Sequence, residues 1–182
     1  MIRKLLVTLT GLAALTAVGM APASAATARS VSPRFTTEFC AQAGTGYCLN
    51  DWGDGGSGAA VRMDTSGLAN DYFEAVAEPN YYLNGYEGFA IVPNGHTSLC
   101  VGTDGSGNAN LGGCPPYGGG GTGSNVWYAV GTCNVGGIGG FIFVNGYWTN
   151  KDGTYSYLLS GGSVGGQAKV STGGGSCWAE IG

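Results

Sequence analysis

Basic residues and histidine are scarce in this chain. Its 182 residues include 7 Lys and Arg, two of them at Arg3 and Lys4, and the single histidine His96. From residue 26 onward, 5 basic side chains face 11 acidic ones, a net charge of −6. That balance argues against nucleic acid or an anionic membrane as partner. No C-x-x-C pair occurs, which with one histidine removes the usual zinc sites. No N-x-S/T acceptor occurs, so N-glycosylation has no site. Beyond the N-terminus no apolar stretch approaches the ~20 residues of a membrane-spanning helix. The glycines follow no three-residue period, which excludes collagen.

What is abundant is glycine and large rings. Gly and Pro occupy 37 and 6 positions, just under the roughly 25–30% that marks low-complexity disorder. Against them stand 4 Trp, 10 Tyr and 6 Phe, more apolar surface than a solvated chain carries. The chain is expected to bury a core. Interior glycine costs a helix about 1 kcal/mol per residue, so an all-β, turn-rich single domain is the expectation.

The first 25 residues read as a signal peptide. Arg3 and Lys4 precede an apolar run from Leu5 to about Val18, and Ala23-Ser24-Ala25 is a small-x-small cleavage site. Residues 26–38 read as a flexible lead-in and 39–182 as the domain. All six cysteines, Cys40, Cys48, Cys100, Cys114, Cys133 and Cys177, fall in the exported part. An even count there implies disulfides and a secreted protein, with 15 connectivities open.

From Phe39 the chain alternates short apolar runs, such as Phe89-Ala90-Ile91-Val92 and Phe141-Ile142-Phe143-Val144, with Asn-Gly or Asp-Gly at residues 84–85, 94–95, 145–146 and 152–153. These are hairpin signals of a sandwich or barrel. Asn70 to Glu78 is expected as a strand rather than a helix. Three segments share one pattern of apolar start, Gly/Ser-rich turn, short strand and closing aromatic. They run from Tyr47 to Phe73, Leu99 to Trp127 and Tyr157 to Trp178, stepping by 52 and then 58 residues. Units this small must close on a shared core. Leu49, Val101 and Leu159 are predicted to point inward.

On these residues the chain resembles the ricin B-chain type of β-trefoil lectin, whose repeats carry a Cys-Leu-Asp start, a Gly-rich turn, a V-Q-L-W strand, a second Cys and a closing Q-x-W. The second segment is most similar, with Ala109-Asn110-Leu111 as the strand and Asn125-Val126-Trp127 as the close. The resemblance implies a β-trefoil of three pseudo-repeats and pairs the two cysteines within a repeat, Cys100 with Cys114. Spacing agrees with that pair, since 14 residues bracket a turn and a strand. Cys40 and Cys48 flank Gly44-Thr45-Gly46 and are expected to close a short hairpin, which leaves Cys133 with Cys177. The family's sugar-orienting Asp is replaced by Asn50, Gly102 and Ser160, and its aromatic platform by Asp64, Gly112 and Ser171.

Catalytic patterns are weak. Gly161-Gly162-Ser163-Val164-Gly165 fits the nucleophile elbow, but His96 precedes it and glycines come after it, so a hairpin turn is expected. Gly118, Gly120 and Gly123 fit G-x-G-x-x-G without a helix after them. Glu74, Glu78 and Glu87 are expected on a solvated face rather than as a glycosidase pair. Asp51 and Asp54 lack a D-x-D-x-D calcium loop, and His96 is expected exposed in its turn. No catalytic residue, metal or cofactor is expected. Carbohydrate binding suits a chain rich in rings and poor in charge, because pyranose faces stack on aromatics while Asn and Asp orient hydroxyls. Only the first repeat combines Asn50, Asp51, Trp52 and Asn70, with Gly53, Gly55 and Gly56 beside them. The expectation is a secreted monomer, not an enzyme, that binds carbohydrate or cell-wall polysaccharide through these residues. A protein-binding module or protease inhibitor and an extracellular structural or envelope protein are the alternatives.

Overall fold

A computed structural model describes residues 37–42, 47–53, 55–116, 119 and 123–181. The expected signal peptide and residues 26–36 of the lead-in lie outside the described residues.

The first third of the domain holds β1 (Thr37–Gln42), β2 (Tyr47–Asn50), β3 (Arg62–Asp64), a 3-10 turn at Ala69–Asp71 and β4 (Tyr72–Leu83). The second holds β5 (Tyr86–Pro93), β6 (Leu99–Thr103), β7 (Ala109–Gly113) and β8 (Trp127–Val135). The last holds β9 (Ile138–Asn145), α1 (Gly146–Asp152), β10 (Tyr157–Leu159), β11 (Lys169–Ser171) and β12 (Cys177–Ile181). Asn70 to Glu78 is thus the 3-10 turn running into a strand, as expected. β1 begins at Thr37 and takes in residues of the expected lead-in, Glu38 pairing with both Ile181 and Tyr72.

Six antiparallel strands close a barrel. Following the pairing from β1, the path runs through β4, β5, β8, β9 and β12 back to β1. Closure leaves no open sheet edge among these strands. Primed turns make the two long hairpins. Asn84 and Gly85 at φ 50° and 89° join β4 to β5, and Gly136 and Gly137 at φ 58° and 92° join β8 to β9. Left-handed backbone at both turn positions matches strand twist, which is why Asn and Gly stand there.

The remaining strands form three short hairpins, β2–β3, β6–β7 and β10–β11. Their centres are bonded in a ring. The amide of Val61 donates to the carbonyl of Ala109, Ala109 to Ala168, and Ala168 back to Val61, at 3.0, 2.7 and 3.1 Å. A second ring repeats the relation two residues outward, with Leu111 donating to Ala59, Met63 to Gly166 and Val170 to Gly107. The three hairpins are therefore bonded to one another in the same pattern.

Their registers identify equivalent residues. Leu49 faces Met63, Val101 faces Leu111, and Leu158 faces Val170. Leu49, Val101 and Leu158 are fully buried, whereas Leu159 is half-buried. The inward residue of the third repeat is Leu158, one position before the expected one, and Leu159 rather than Ser160 stands where Asn50 and Gly102 stand. Successive strand residues alternate faces, so one residue of slip exchanges inside for outside. The core joins these residues to Phe39, Phe73, Phe143, Trp127 and Trp178. The indoles of Trp127 and Trp178 donate to the carbonyls of Val101 and Leu158 at 2.8 and 3.2 Å. Each thus ties a barrel strand to its hairpin.

Disulfides join Cys40 to Cys48, Cys100 to Cys114 and Cys133 to Cys177, the connectivity expected. Two expected turns are corrected. Asn145-Gly146 and Asp152-Gly153 are the ends of α1: the Asn145 side chain accepts from the Trp148 amide at 3.2 Å, and Gly153 at φ 68° ends the helix in left-handed backbone. The same residue types serve hairpin turns and helix caps.

Candidate functional site

Of the four expected site residues, Asn50 ends β2, Asp51 and Trp52 open the loop after it and Asn70 lies in the 3-10 turn, and their roles differ. Asn50 is buried, and its amide is committed inside the molecule. Its Nδ2 donates to Asp71 Oδ1 at 2.8 Å, and its Oδ1 accepts from Asn70 Nδ2 at 3.1 Å. The other Asp71 oxygen accepts from the Leu68 amide at 2.8 Å. Burial pushes the Asp71 carboxyl above its ordinary value, opposed by the bonds from Asn50 and Leu68. Asn50 therefore builds the frame rather than facing a ligand. Asp51 is also buried, its amide donating to the Asn70 carbonyl and its Oδ2 lying 3.8 Å from His96 Nε2. His96 is half-buried instead of exposed.

Trp52 alone turns outward, 42% exposed. Behind it the Arg62 guanidinium carbon lies 5.7 Å from the ring centroid, within cation–π range. Arg62 Nη1 donates to the Gly165 carbonyl at 2.7 Å, which ties this cation to the loop of the third hairpin. The result is an exposed indole on a fixed support.

Glu78 is fully buried in β4, contrary to the solvated face expected of it, while Glu87 is exposed. Ser163 sits in the loop between the strands β10 and β11 rather than at a strand-to-helix turn, so the elbow geometry is missing. Asp54 and most of the Gly118–Gly123 segment lie outside the described residues. Glu38 lies with the sulfurs of Cys40 and Cys48 inside 4.8 Å, but those sulfurs are joined to each other and offer no thiolate.

Sequence reasoning missed the surroundings of α1. On one side of it, a cavity of about 280 Å³ is lined by Ser106, Trp148, Asp152, Ser156, Ser171 and Thr172. On the other, a cavity of about 420 Å³ is lined by Asn84, Thr149, Asn150, Thr154 and Tyr155. The signal was present in the spacing: Asn145 as N-cap, Lys151 in the last turn and Gly153 just past the end outline a short helix. A third, apolar cavity of about 170 Å³ lies among the barrel side chains Ala75, Phe89, Ala129, Phe141 and Phe143.

Three disulfides point to an oxidising, extracellular environment. Among the described residues no helix is long and apolar enough to cross a membrane. No protein-family model matches the chain, and no curated protein matches it in sequence.

Proposed function

We propose that this chain is a secreted, non-catalytic carbohydrate-binding protein with a β-trefoil fold, and that Trp52 is the stacking platform of its site. The closed six-stranded barrel and the two threefold rings of backbone bonds support the trefoil reading. The exposure of Trp52 carries the functional one. Trp127 and Trp178 are fully buried and serve the core, whereas Trp52 spends 42% of its surface in water. An exposed indole backed by the Arg62 guanidinium stacks a pyranose face at little entropic cost. Asn70, half-buried at the edge of that network, and the loop glycines beside Trp52 provide the polar and close-approach partners.

The test is binding of the exported chain to a glycan array and to insoluble cell-wall polysaccharides. Trp52→Ala is expected to weaken binding roughly tenfold, the loss of about 1–2 kcal/mol of aromatic contact, with the melting temperature nearly unchanged. A variant that binds like the wild type, or a wild type that binds no glycan, overturns the reading.

A further inference from the structure

One of the departures from the threefold arrangement is a helix. The β9–β10 connection carries α1, whereas its counterparts, residues 43–46 between β1 and β2 and 94–98 between β5 and β6, are shorter. α1 is fastened on every side. The Asn145 side chain caps it and donates to the Ser124 carbonyl at 2.8 Å. The Trp148 indole donates to Thr103 Oγ1 at 2.9 Å, which holds the helix against the second hairpin. Thr149 Oγ1 accepts from the Ser156 amide at 3.0 Å, and Ser156 Oγ donates to Asp152 at 2.9 Å. A helix of seven residues is not stable by itself, so these tertiary bonds are what keep it formed and fix the two cavities beside it.

Residues 148 and 152 lie one turn apart and line the smaller cavity, while 149, 150 and 153 line the larger. Most of the groups offered are polar and uncharged, beside the apolar Leu83 and Val170. Ser, Thr and Tyr hydroxyls both donate and accept, Asn amides do both through separate atoms, and Tyr155 supplies ring surface, while the Lys151 ammonium lies over the Trp148 ring at 3.9 Å from its centroid. Asp152 is the one charged side chain lining either cavity. Hydroxyls that donate and accept are matched by a ligand that does the same, and the Asp152 carboxylate disfavours an anionic one.

We infer that α1 is the ridge of a second binding site, separate from Trp52, whose two flanking cavities take successive units of a neutral oligosaccharide. A helix with its side chains is about 10–12 Å across, wider than a single sugar ring. A ligand touching both cavities is therefore a chain and not a terminal monosaccharide. This inference rests on the carbohydrate-binding reading but not on the Trp52 site.

The experiment uses the exported chain and oligosaccharides of two to six units prepared from chitin, xylan, β-glucan and galactan. Thr172→Trp and Asn150→Trp place bulk at exposed positions in the smaller and larger cavity, so folding is spared, and unchanged melting confirms that. Affinity is expected to rise with chain length. Each blocking variant should weaken the longest chain at least tenfold and leave the shortest little changed, and the effect should persist in a Trp52→Ala background. Binding that is lost with Trp52→Ala and indifferent to both blocking variants overturns the α1 site while sparing the proposed function. A wild type that binds none of these chains overturns both.

Discussion

In the hairpin cap the three repeats are interchangeable. Val61, Ala109 and Ala168 exchange the same backbone bonds, and Leu49, Val101 and Leu158 fill the same inward position. In the loops and connections around the cap no two repeats agree. The first places Trp52 in a glycine-rich loop, the second continues from β7 into the long segment 114–126, and the third inserts α1 before β10. Cap residues are held by contacts that threefold closure imposes, so each substitution there is felt by the other two repeats. The connecting segments carry no such obligation. The Trp52 ring and the cavities beside α1 lie with these segments, while Leu49, Val101 and Leu158 are fully buried in the cap.

The sharpest way to break this contrast is to truncate one tryptophan of each kind. Trp127 and Trp178 are fully buried and each donates to a hairpin carbonyl. Trp127→Ala or Trp178→Ala is expected to cost about 3–5 kcal/mol, read by denaturant unfolding. Trp52→Ala should change unfolding by a small fraction of that. Equal losses at Trp52 and Trp127 would erase the distinction between cap and surface ring.

Next in size are the disulfides. Cys40–Cys48 and Cys100–Cys114 close segments of 8 and 14 residues within a repeat, while Cys133–Cys177 closes 44 and joins β8 to β12. In the chain-entropy account, paired Ser substitution costs about 4 kcal/mol for the long loop and about 2.5 kcal/mol for the shortest. The same denaturation measurement checks the order. A reversed order would place the stabilisation in local hairpin geometry instead of in the restraint of the unfolded chain.

How far the molecule was legible depended on the range of the interactions. The primed turn at Asn84-Gly85 and the pairs Cys40–Cys48 and Cys100–Cys114 were legible because residues close in sequence determine them, and Cys133–Cys177 followed by elimination. The third repeat was misread by one residue because Tyr157-Leu158-Leu159 is a continuous apolar run with no cysteine to mark its register. Asn50 was read as a ligand group because its commitment to Asp71 depends on a residue 21 positions away. Trp52 was legible as an exposed ring because glycines surround it on one side of the loop. α1 was missed because Asn-Gly and Asp-Gly signal a turn as readily as a cap, and only the seven residues between Asn145 and Gly153 distinguish the two.

The smallest expected effect compares two aspartates, one inside a network and one at a hairpin tip. Burial holds Asp71 above the ordinary carboxylate value of 3.8. From pH 3.8 up to its folded value the native state then binds more protons than the unfolded chain, so stability falls as pH rises through that window. Asp104 is opposite. Bonds from the Asn108 side chain, and from the amides of Asn108 and Ser106, hold its carboxyl below 3.8. Its contribution is present above pH 3.8 and is lost as pH falls through its folded value. Melting temperature measured against pH should show the slope above 3.8 flattened in Asp71→Asn and the loss below 3.8 reduced in Asp104→Asn. The level in Asp71→Asn should also drop at every pH, because Asn50 and Leu68 both donate to residue 71 and an amide offers one acceptor in place of two. The slope, not the level, is what tests the assignment. The Asp104 slope should be the weaker, since solvent screens a carboxylate at a hairpin tip, and two variants with the same slope as the wild type would remove both groups from the pH response.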